Sequence, residues 1–445
     1  MDPLTFLCLA SYEKGHDFMR EAKRQGARVF LITSLSLRDK AQWPRESIDD
    51  IFYMPDQDKT WNRNDTLLAI SHLARTQAID RVVALDDFDL EMAASLREHL
   101  RIPGMGETTT RYFRDKLAMR MKAMEAGLHV PEFVHLLNDA KVAEFTRRVP
   151  PPWVLKPRGM AGAIGIQVVH SLDDLRAADR ALGDRRSFFL VERFVPGDVC
   201  HVDSIVYGNR ILFAVASQYG YPPLDVSQRG GIFTTRLLER GSAPSEALLA
   251  ANQGVLAAMG LVRGVSHTEF IKGDDGELYF LETSARVGGA HIAELVEAAT
   301  GLNLWGEWAK VEIAGGNLPY APPPPANDYA ALLVSLARQE HPDTSAYNDP
   351  EIVWRMQMAP RRDDREVAAP GARRRVARPV CRAGKERLRH GCAAARQTHQ
   401  LTLCPPSPPS ALSCHGRKRL CSHCWSSPSS STISIAAISR LRDRC

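Results

Sequence analysis

The chain has 445 residues and a formal net charge of +5, from 57 Lys and Arg against 52 Asp and Glu. At ~150 residues per domain, this length allows about three domains, with room for a cleft between them. The sequence has no apolar run of about 18 residues, which argues against a transmembrane helix. Its start, Met1-Asp2-Pro3, is not typical of a secretory signal. We therefore expect a soluble protein.

The charge and the cysteines divide unequally along the chain. Residues 1–357 carry 39 Lys and Arg and 47 Asp and Glu, whereas residues 358–445 carry 18 and 5 together with seven of the nine cysteines. The first part holds Cys8 and Cys200, which form no disulfide framework and suit a reducing cytoplasm. The basic tail has almost no apolar periodicity. We predict that residues 358–445 are disordered or non-native, produced by a reading-frame change near Met356–Pro360.

The first hundred residues alternate apolar runs with helical patterns. In chain order, the strands and helices are expected at Thr5–Ala10, Asp17–Gln25, Ala27–Thr33, Asp65–Thr76, Arg81–Leu85 and Leu90–Leu100. Strands alternating with helices of this length predict a parallel sheet covered on both faces. Residues 1–104 are therefore expected to form a small α/β domain. It has no G-x-G-x-x-G after the first strand, so dinucleotide binding has no support.

Residues 105–320 begin with a basic helical stretch over 105–125 and continue with recurring strand patterns. Hairpin turns are expected at Gly208-Asn209 and Gly273–Gly276, which favours an antiparallel α+β region. After the proline run Pro322–Pro325, strands are expected at Tyr329–Leu336 and Pro350–Met356. Residues 321–357 are interpreted as a truncated C-terminal portion.

A glycine-rich loop follows the apolar strand that ends in Lys156. Gly159, Gly162 and Gly165 fall within seven positions, and such a loop can bring backbone N–H groups close to phosphate oxygens while a lysine supplies charge. This predicts a phosphate-covering hairpin. The competing interpretation is an ordinary Gly-rich turn, and the Walker A pattern is absent.

A second strand, from Phe189, breaks at Pro196-Gly197 and has charged residues at its end. Such an edge can offer backbone groups to an adenine ring and a carboxylate to a ribose. By itself it would pass for an ordinary strand end. Its position some 36 residues after Lys156 gives it weight.

Two glutamates are expected side by side across a tight hairpin. Glu269 and Glu282 each lie in an apolar strand, where an uncompensated carboxylate is costly. Mg²⁺ held by one or two carboxylates and substrate phosphates would compensate the charge, and Arg286 can hold a phosphate or acyl-phosphate oxygen. The alternative is a surface hairpin with exposed glutamates.

The order of these motifs resembles the ATP-grasp superfamily. The matching features are Lys116, Lys156 with its loop, Glu192–Gly197, and Glu269 with Glu282-x-Ser284-x-Arg286. The segment Ala285–His291 looks most like the carboxylate–amine ligase branch, which includes L-amino-acid ligases and carnosine-synthase-like enzymes. The resemblance implies an ATP-grasp fold over 105–320, with a lid subdomain at about 130–195, preceded by the α/β domain.

The resemblance also implies a role for each matching residue. The nucleotide would be contacted by Lys116, Lys156, Gly159, Gly162, Gly165, Glu192, Arg193, Phe194, Val195 and Asp198. Mg²⁺, for which Mn²⁺ can substitute, would be held by Glu269, Glu282 and Ser284, and Arg286 and Lys156 would be catalytic. Val199 stands where the family often has Glu, so ribose binding is left to Asp198, His201 or Asp203.

The implied activity is ATP-dependent formation of an amide or peptide bond through an acyl phosphate, with a small carboxylate and a small amine as substrates. His267 or His291 can serve as the base, or either can be a structural histidine. Similar enzymes are often homodimers. A carboxylase or thiol ligase would need a biotin or coenzyme A site, for which the sequence offers no motif.

Three further interpretations stay open. One is an ATP-binding protein of the same fold that lacks turnover because of its altered C-terminus. Another is nucleic-acid binding by the basic tail, which has no aromatic platform to support it. The third is a zinc site in the tail, where Cys421-Ser422-His423-Cys424 has only the irregular partners Cys404, Cys414 and His415.

Overall fold

The computed structural model describes residues 3–229, 231–337, 345, 349–358 and 433–441. Three main sheets follow one another along the chain. The first has the strand order β3-β2-β1-β6, the second β7-β10-β8-β9, and the third β15-β14-β11-β12-β13-β16-β18-β17, with a small β4-β5 hairpin besides. No helix in these ranges is both long and apolar enough to cross a membrane.

The N-terminal domain is built around the first sheet. Its elements are β1 (Thr5–Ala10), α1 (His16–Arg24), β2 (Arg28–Ser34), β3 (Asp50–Met54), β4 (Asp56–Gln57), β5 (Thr60–Trp61), α2 (Arg63–Leu73), β6 (Arg81–Ala84) and α3 (Leu90–Leu100). The four strands of the sheet are parallel. The two sides of β1 enter different cores, since Leu7 and Leu9 belong to one and Phe6 and Cys8 to another. The predicted parallel α/β domain is confirmed, and β3 is an additional strand.

The basic stretch forms two helices rather than one, α4 (Glu107–Arg111) and α5 (Lys116–Glu125). Asp115 begins the second helix because its carboxylate accepts the Leu117 N–H at 3.0 Å. The cap places Lys116 at the first turn of α5, and this residue is buried.

The second sheet is small and falls within residues 130–195. Its elements are β7 (Phe133–His135), α6 (Asp139–Arg148), β8 (Trp153–Pro157), β9 (Gln167–Val169), α7 (Leu172–Leu182) and β10 (Phe189–Arg193). Strands β8 and β10 are antiparallel neighbours, with Lys156 opposite Leu190 and Val154 opposite Glu192. The glycine-rich loop therefore connects β8 to β9 at one end of this sheet.

The third sheet is antiparallel, and helices pack against it. Its elements are β11 (Gly197–Tyr207), β12 (Arg210–Tyr219), α8 (Pro223–Arg229), β13 (Phe233–Leu237), α9 (Ala243–Met259), β14 (Gly264–Gly273), β15 (Leu278–Ser284), α10 (Ile292–Thr300), α11 (Leu304–Ala314), β16 (Tyr329–Ala337), β17 (Ile352–Met358) and β18 (Ile433–Leu441). Helix α11 packs on α1 of the N-terminal domain, where the rings of Phe18 and Trp308 lie 5.2 Å apart. The first and third sheets thus share one core.

The C-terminal segment differs from its prediction at one point. Ile433–Leu441 forms β18, antiparallel to β16 on one side and β17 on the other, and Ile438 is fully buried. This strand contains the apolar run Ile435–Ile438 with Ile433 and Leu441 on either side, a feature that the composition of the whole tail obscures. The tail cysteines and His415 and His423, with the zinc and nucleic-acid interpretations that rest on them, lie outside the described residues. The proposed frame change stays a prediction.

Candidate functional site

The predicted site residues meet in a cavity of about 370 Å³ between the three sheets. It is lined by many of the residues that the sequence singled out, namely Lys116, Lys156, Gly162, Glu192, Arg193, Phe194, Val195, Glu269, Glu282 and Arg286. The N-terminal domain adds Lys14 and residues 86–88, which the sequence did not indicate. Gly159, Gly165, Asp198 and Ser284 do not line it.

Lys156 belongs to a buried group of charges on the second sheet. Its Nζ lies 2.6 Å from Glu192 Oε2, and Arg120 Nε lies 2.7 Å from the other oxygen of the same carboxylate. Burial and Arg120 together lower the pKa of Lys156 to about 8 against the opposing effect of Glu192. Burial raises the pKa of Glu192, but the two cations outweigh it, so the carboxylate stays ionised. Two cations against one anion leave excess positive charge beside the cavity, which suits a phosphate.

Lys116 connects the loop to the third sheet. Its Nζ donates to the Met160 carbonyl oxygen at 2.5 Å and lies 2.8 Å from Glu282 Oε2. Its backbone N–H donates to the Arg158 carbonyl at 2.9 Å. One lysine at the start of α5 therefore holds both the glycine-rich loop and one of the two paired glutamates.

The glycine-rich loop lies over the cavity, which Met160–Ile164 and Ile166 line. Gly162 and Gly165 have φ of 65° and 74°, in the left-handed region where a Cβ is costly. Helix α8 reaches the loop through Gln228 Nε2, which donates to the Ile166 carbonyl at 3.2 Å. Gly162 thus contributes directly to the lining, and Gly165 permits the turn beyond it.

Glu269 and Glu282 are direct partners in the β14–β15 register, as predicted. The strands shift register immediately after Glu269, a β-bulge that alters the local direction of the side chains. Both glutamates line the cavity, which contradicts the alternative of an exposed surface hairpin. Two adjacent carboxylates supply the oxygen ligands that Mg²⁺ prefers.

Glu269 is held by a chain of buried polar groups that the sequence analysis missed. Tyr219 Oη donates to Glu269 Oε1 at 2.8 Å, and His267 Nε2 lies 3.4 Å from the same oxygen. Behind them, Asp203 lies 2.9 Å from His267 Nδ1 and 2.7 Å from His201 Nδ1. The alternating residues of β11 and β14 are the signal that could have revealed this chain.

Asp203 and His267, two members of this hydrogen-bonded network, shift each other's pKa. Burial raises the pKa of Asp203, but His267 and His201 outweigh it and hold the pKa well below the usual range. Burial lowers the pKa of His267, yet Asp203 outweighs burial and raises the pKa to about 9. The three groups His201, Asp203 and His267 are also close enough together to hold a metal ion. Their mutual hydrogen bonds already account for their placement.

His201 and Asp203 are fully buried and do not line the cavity, so the structure does not support a role for them in ribose binding. Asp198 is exposed, on the face of β11 opposite to Val199, which does line the cavity. The strand alternation therefore points the Asp198 side chain away from the site. Val199 contributes an apolar wall instead.

Arg193, Phe194 and Val195 line the end of the cavity next to β10, where adenine binding was predicted. The Arg193 guanidinium lies over the Tyr279 ring, 5.2 Å from its centroid, and Nη2 donates to Tyr279 Oη at 2.8 Å. The Phe194 N–H is already engaged, donating to the Pro152 carbonyl at 3.2 Å. Phe194 and Val195 thus give this end of the cavity an apolar surface, and Tyr279 holds the Arg193 guanidinium beside it.

Arg286 contacts the N-terminal domain. Its Nε donates to Asp87 Oδ2 at 2.7 Å, its Nη2 contacts the same oxygen, and its Nη1 donates to the Val287 carbonyl at 3.0 Å. The Ser284 hydroxyl donates to Asp87 Oδ1. Ser284 thus faces Asp87 rather than the cavity, and its predicted place beside the two glutamates has no support in this geometry.

The two candidate base histidines differ in position. His267 lines the cavity, whereas His291 does not; its ring packs on Trp354 at 5.0 Å and its Nδ1 lies 3.3 Å from Glu294. His291 has φ of 66° at the start of α10. The contacts of His291 with Trp354 and Glu294 fit a structural histidine rather than a base.

Comparison with known proteins identifies a matching domain family and several relatives. Residues 149–294 match the family described as ATP-grasp domain. The chain is 26% identical over 233 residues to the L-arginine-specific L-amino acid ligase of Bacillus subtilis, covering 51% of this chain and 56% of the relative. It is also 26% identical over 302 residues to carnosine synthase 1 of Mus musculus, covering 62% of this chain and 36% of the relative. The chain thus spans about half the length, or less, of these curated relatives.

The fold has solved counterparts. The L-amino acid ligase from Bacillus licheniformis superposes with a TM-score of 0.62 at 18% identity, covering 80% of this chain and 87% of that one. The ADP complex of an N5-carboxyaminoimidazole ribonucleotide synthetase superposes with a TM-score of 0.59 at 17% identity, covering 76% and 84%. Together with the match over residues 149–294, these superpositions identify the fold as ATP-grasp with an N-terminal parallel-sheet domain.

Proposed function

We propose that this chain, a member of the ATP-grasp superfamily, is an ATP-dependent carboxylate–amine ligase that forms an amide or peptide bond. The observation that carries the proposal is the set of charged residues that line one cavity. Cationic and anionic groups from helix α5, the second sheet and the third sheet line it together, namely Lys116, Lys156, Glu269, Glu282 and Arg286. Lysines beside a glycine-rich loop suit a nucleotide, and an arginine beyond the glutamates suits an anionic intermediate.

Glu269 and Glu282 would hold Mg²⁺, with Mn²⁺ as a substitute. Their place on neighbouring strands fits a divalent cation shared with substrate phosphates. When bound, the ion would neutralise phosphate charge that develops during transfer.

In the first step, a carboxylate oxygen of one substrate bonds to the γ-phosphorus of ATP. The bond between that phosphorus and the oxygen of the departing ADP breaks, and ADP leaves with the electron pair. Lys156 and Lys116 would offset the charge on the phosphates, and the wall of Arg193, Phe194 and Val195 would hold the base. Positioning and charge stabilisation supply most of the catalysis in such a transfer.

In the second step, the amine nitrogen attacks the carbonyl carbon of the acyl phosphate. The carbon–oxygen bond to phosphate then breaks, inorganic phosphate leaves with the electron pair, and the nitrogen loses a proton. Arg286 would stabilise the anionic tetrahedral species. Of the two candidate bases His267 lines the cavity, and because its pKa is raised to about 9 it would take the proton of the amine only after losing its own. The loop over the cavity would keep water from hydrolysing the acyl phosphate.

The test is ATP-dependent release of phosphate with Mg²⁺ across pairs of amino acids and carboxylic acids, including arginine and alanine. Glu282→Ala should abolish release. Glu277→Ala is the matched control, because Glu277 lies on the same hairpin with a side chain that is 59% exposed, and it should release phosphate like the unmodified chain.

Two results would contradict the proposal in different ways. ATP binding without release for any pair would favour a nucleotide-binding protein without turnover. Release that survives Glu282→Ala would contradict the metal assignment. A cytoplasmic location and a homodimer belong to the same proposal, and gel filtration with light scattering tests the second.

A further inference from the structure

We propose that Asp87 of the N-terminal domain is a positioning residue for Arg286, so that the ligase site is incomplete without that domain. The inference rests on the proposed function, since it concerns the arginine expected at the acyl phosphate. It assigns a role to a carboxylate about 200 positions away in the chain, in a different sheet layer.

The contacts of Asp87 are all with the strand end that carries Arg286. One of its oxygens accepts from the Ser284 hydroxyl, and the other accepts from Nε and Nη2 of Arg286. The carboxylate is 5% exposed. Burial raises the pKa of Asp87, but Arg286 and Arg114 outweigh burial and hold the pKa well below its ordinary range, so the carboxylate is ionised when it meets the arginine.

The loop that presents Asp87 is held by hydrogen bonds that do not involve the Asp87 side chain. The loop follows β6, and its first turn is capped by Asp86, whose Oδ1 accepts the Phe88 N–H at 3.2 Å. Asp89 anchors the other end by accepting the Ser11 N–H at 2.8 Å. Because Asp86 and Asp89 hold the backbone, the Asp87 carboxylate is left to bind Arg286 and Ser284.

The effect of Asp87 is to fix one orientation of a long side chain. An arginine side chain has many rotamers, and here three contacts determine the plane of the guanidinium, two from Asp87 and one from the Val287 carbonyl. Glu282 also attracts Arg286. Without Asp87, Arg286 could turn toward Glu282, which would withdraw both residues from their proposed roles.

A purely structural ion pair between two domains would have the same contacts, so the test must separate the two roles. Steady-state kinetics of phosphate release would be measured for Asp87→Ala, Asp87→Asn, Arg286→Ala and the double variant. Glu91→Gln is the matched control, since it alters an exposed carboxylate in the first turn of α3, just after the same loop, that does not line the cavity.

We expect Asp87→Ala to lower kcat by 10-fold to 100-fold while KM for ATP changes less than 2-fold, because the nucleotide-binding residues are untouched. Combining Asp87→Ala with Arg286→Ala should lower kcat no further than Arg286→Ala alone, because Asp87 then has no arginine to position. Asp87→Asn should keep part of the activity, and Glu91→Gln nearly all of it. Thermal unfolding of each variant identifies any that fail to fold, and Asp87→Asn then carries the kinetic test.

The inference is overturned if the effects of the two single changes multiply in the double variant, or if kcat of both Asp87 variants stays within 2-fold of the unmodified chain. In either case, phosphate release by the unmodified chain leaves the proposed function standing. No release by the unmodified chain overturns both.

Discussion

Glu269 and Glu282 face each other across one hairpin, yet their surroundings differ sharply. Glu269 is held by Tyr219 and His267, which belong to a chain of buried groups extending across β11 and β12. Glu282 has a side chain that is 28% exposed and pairs with the terminal nitrogen of Lys116. One carboxylate is therefore part of the framework, whereas the other is held by a lysine that is itself expected to meet ATP. A paired site can thus combine a fixed ligand with an adjustable one.

The strongest test of this contrast compares Glu269→Ala with Glu282→Ala. Both should lower phosphate release by ~10³-fold or more, as losing several kcal/mol of charge stabilisation implies. Their stabilities should differ: Glu269→Ala leaves buried partners unsatisfied and should lower the free energy of unfolding by ~1–3 kcal/mol, whereas Glu282→Ala should change it by ~0.5 kcal/mol or less. Urea denaturation measures both, and equal losses of stability would remove the distinction.

The network behind Glu269 should make stability depend on pH. The pKa of His267 is raised to about 9 from an ordinary 6.5, so its contribution is fully present below pH 6.5 and is lost as the pH rises through 9. The metal-free protein should therefore lose ~3 kcal/mol of unfolding free energy across that window. Asp203→Asn should flatten the dependence, and Asp198→Asn, on the exposed face of the same strand, should leave it unchanged. A flat profile for the unmodified chain would contradict the charged network.

The Lys116→Met variant tests the proposed link between Glu282 and the nucleotide, because Lys116 pairs with Glu282. Losing one charge-assisted contact, worth ~1.5 kcal/mol, should raise KM for ATP by about tenfold. Lys122→Met is the control on the same helix, where the side chain is 35% exposed, and its KM should equal that of the unmodified chain. An unchanged KM for Lys116→Met would separate Glu282 from the nucleotide site.

The smallest change is Tyr219→Phe, which removes one hydrogen bond to Glu269 and no charge. We expect a loss of about 1 kcal/mol in metal affinity, or roughly fivefold, in the Mg²⁺ dependence of phosphate release. Tyr207→Phe is the control, because its hydroxyl bonds to the Leu318 carbonyl away from the cavity. Equal Mg²⁺ dependence in both variants would show that Tyr219 does not orient the ligand.

Features set by local pattern could be predicted from the sequence. Thr5–Ala10 and Leu90–Leu100 have the bounds expected from their periodicity. The pairing of Glu269 with Glu282 followed from a short turn between two apolar strands, because a tight hairpin determines the register of its strands. The approach of Lys156 to Glu192 follows from two antiparallel neighbours in one small sheet.

Features set by the arrangement of sheets could not be predicted. Asp87 meets Arg286 only because α1 packs on α11 and brings the N-terminal domain against the third sheet. Asp198 was assigned to the nucleotide on its charge, although the alternation along β11 turns it outward. For Asp87 the available signal was its place after a parallel strand, at the sheet edge where ligands gather in α/β folds.

Strand β18 has a practical consequence for handling the protein. Because Ile433–Leu441 is hydrogen-bonded on both sides, a chain shortened to end at Met358 would leave the adjacent edge of β16 without a partner. An unpaired, largely apolar edge is a template for another copy of the same chain. Preparations that remove the C-terminal segment to simplify crystallisation therefore risk exchanging an intramolecular strand for aggregation.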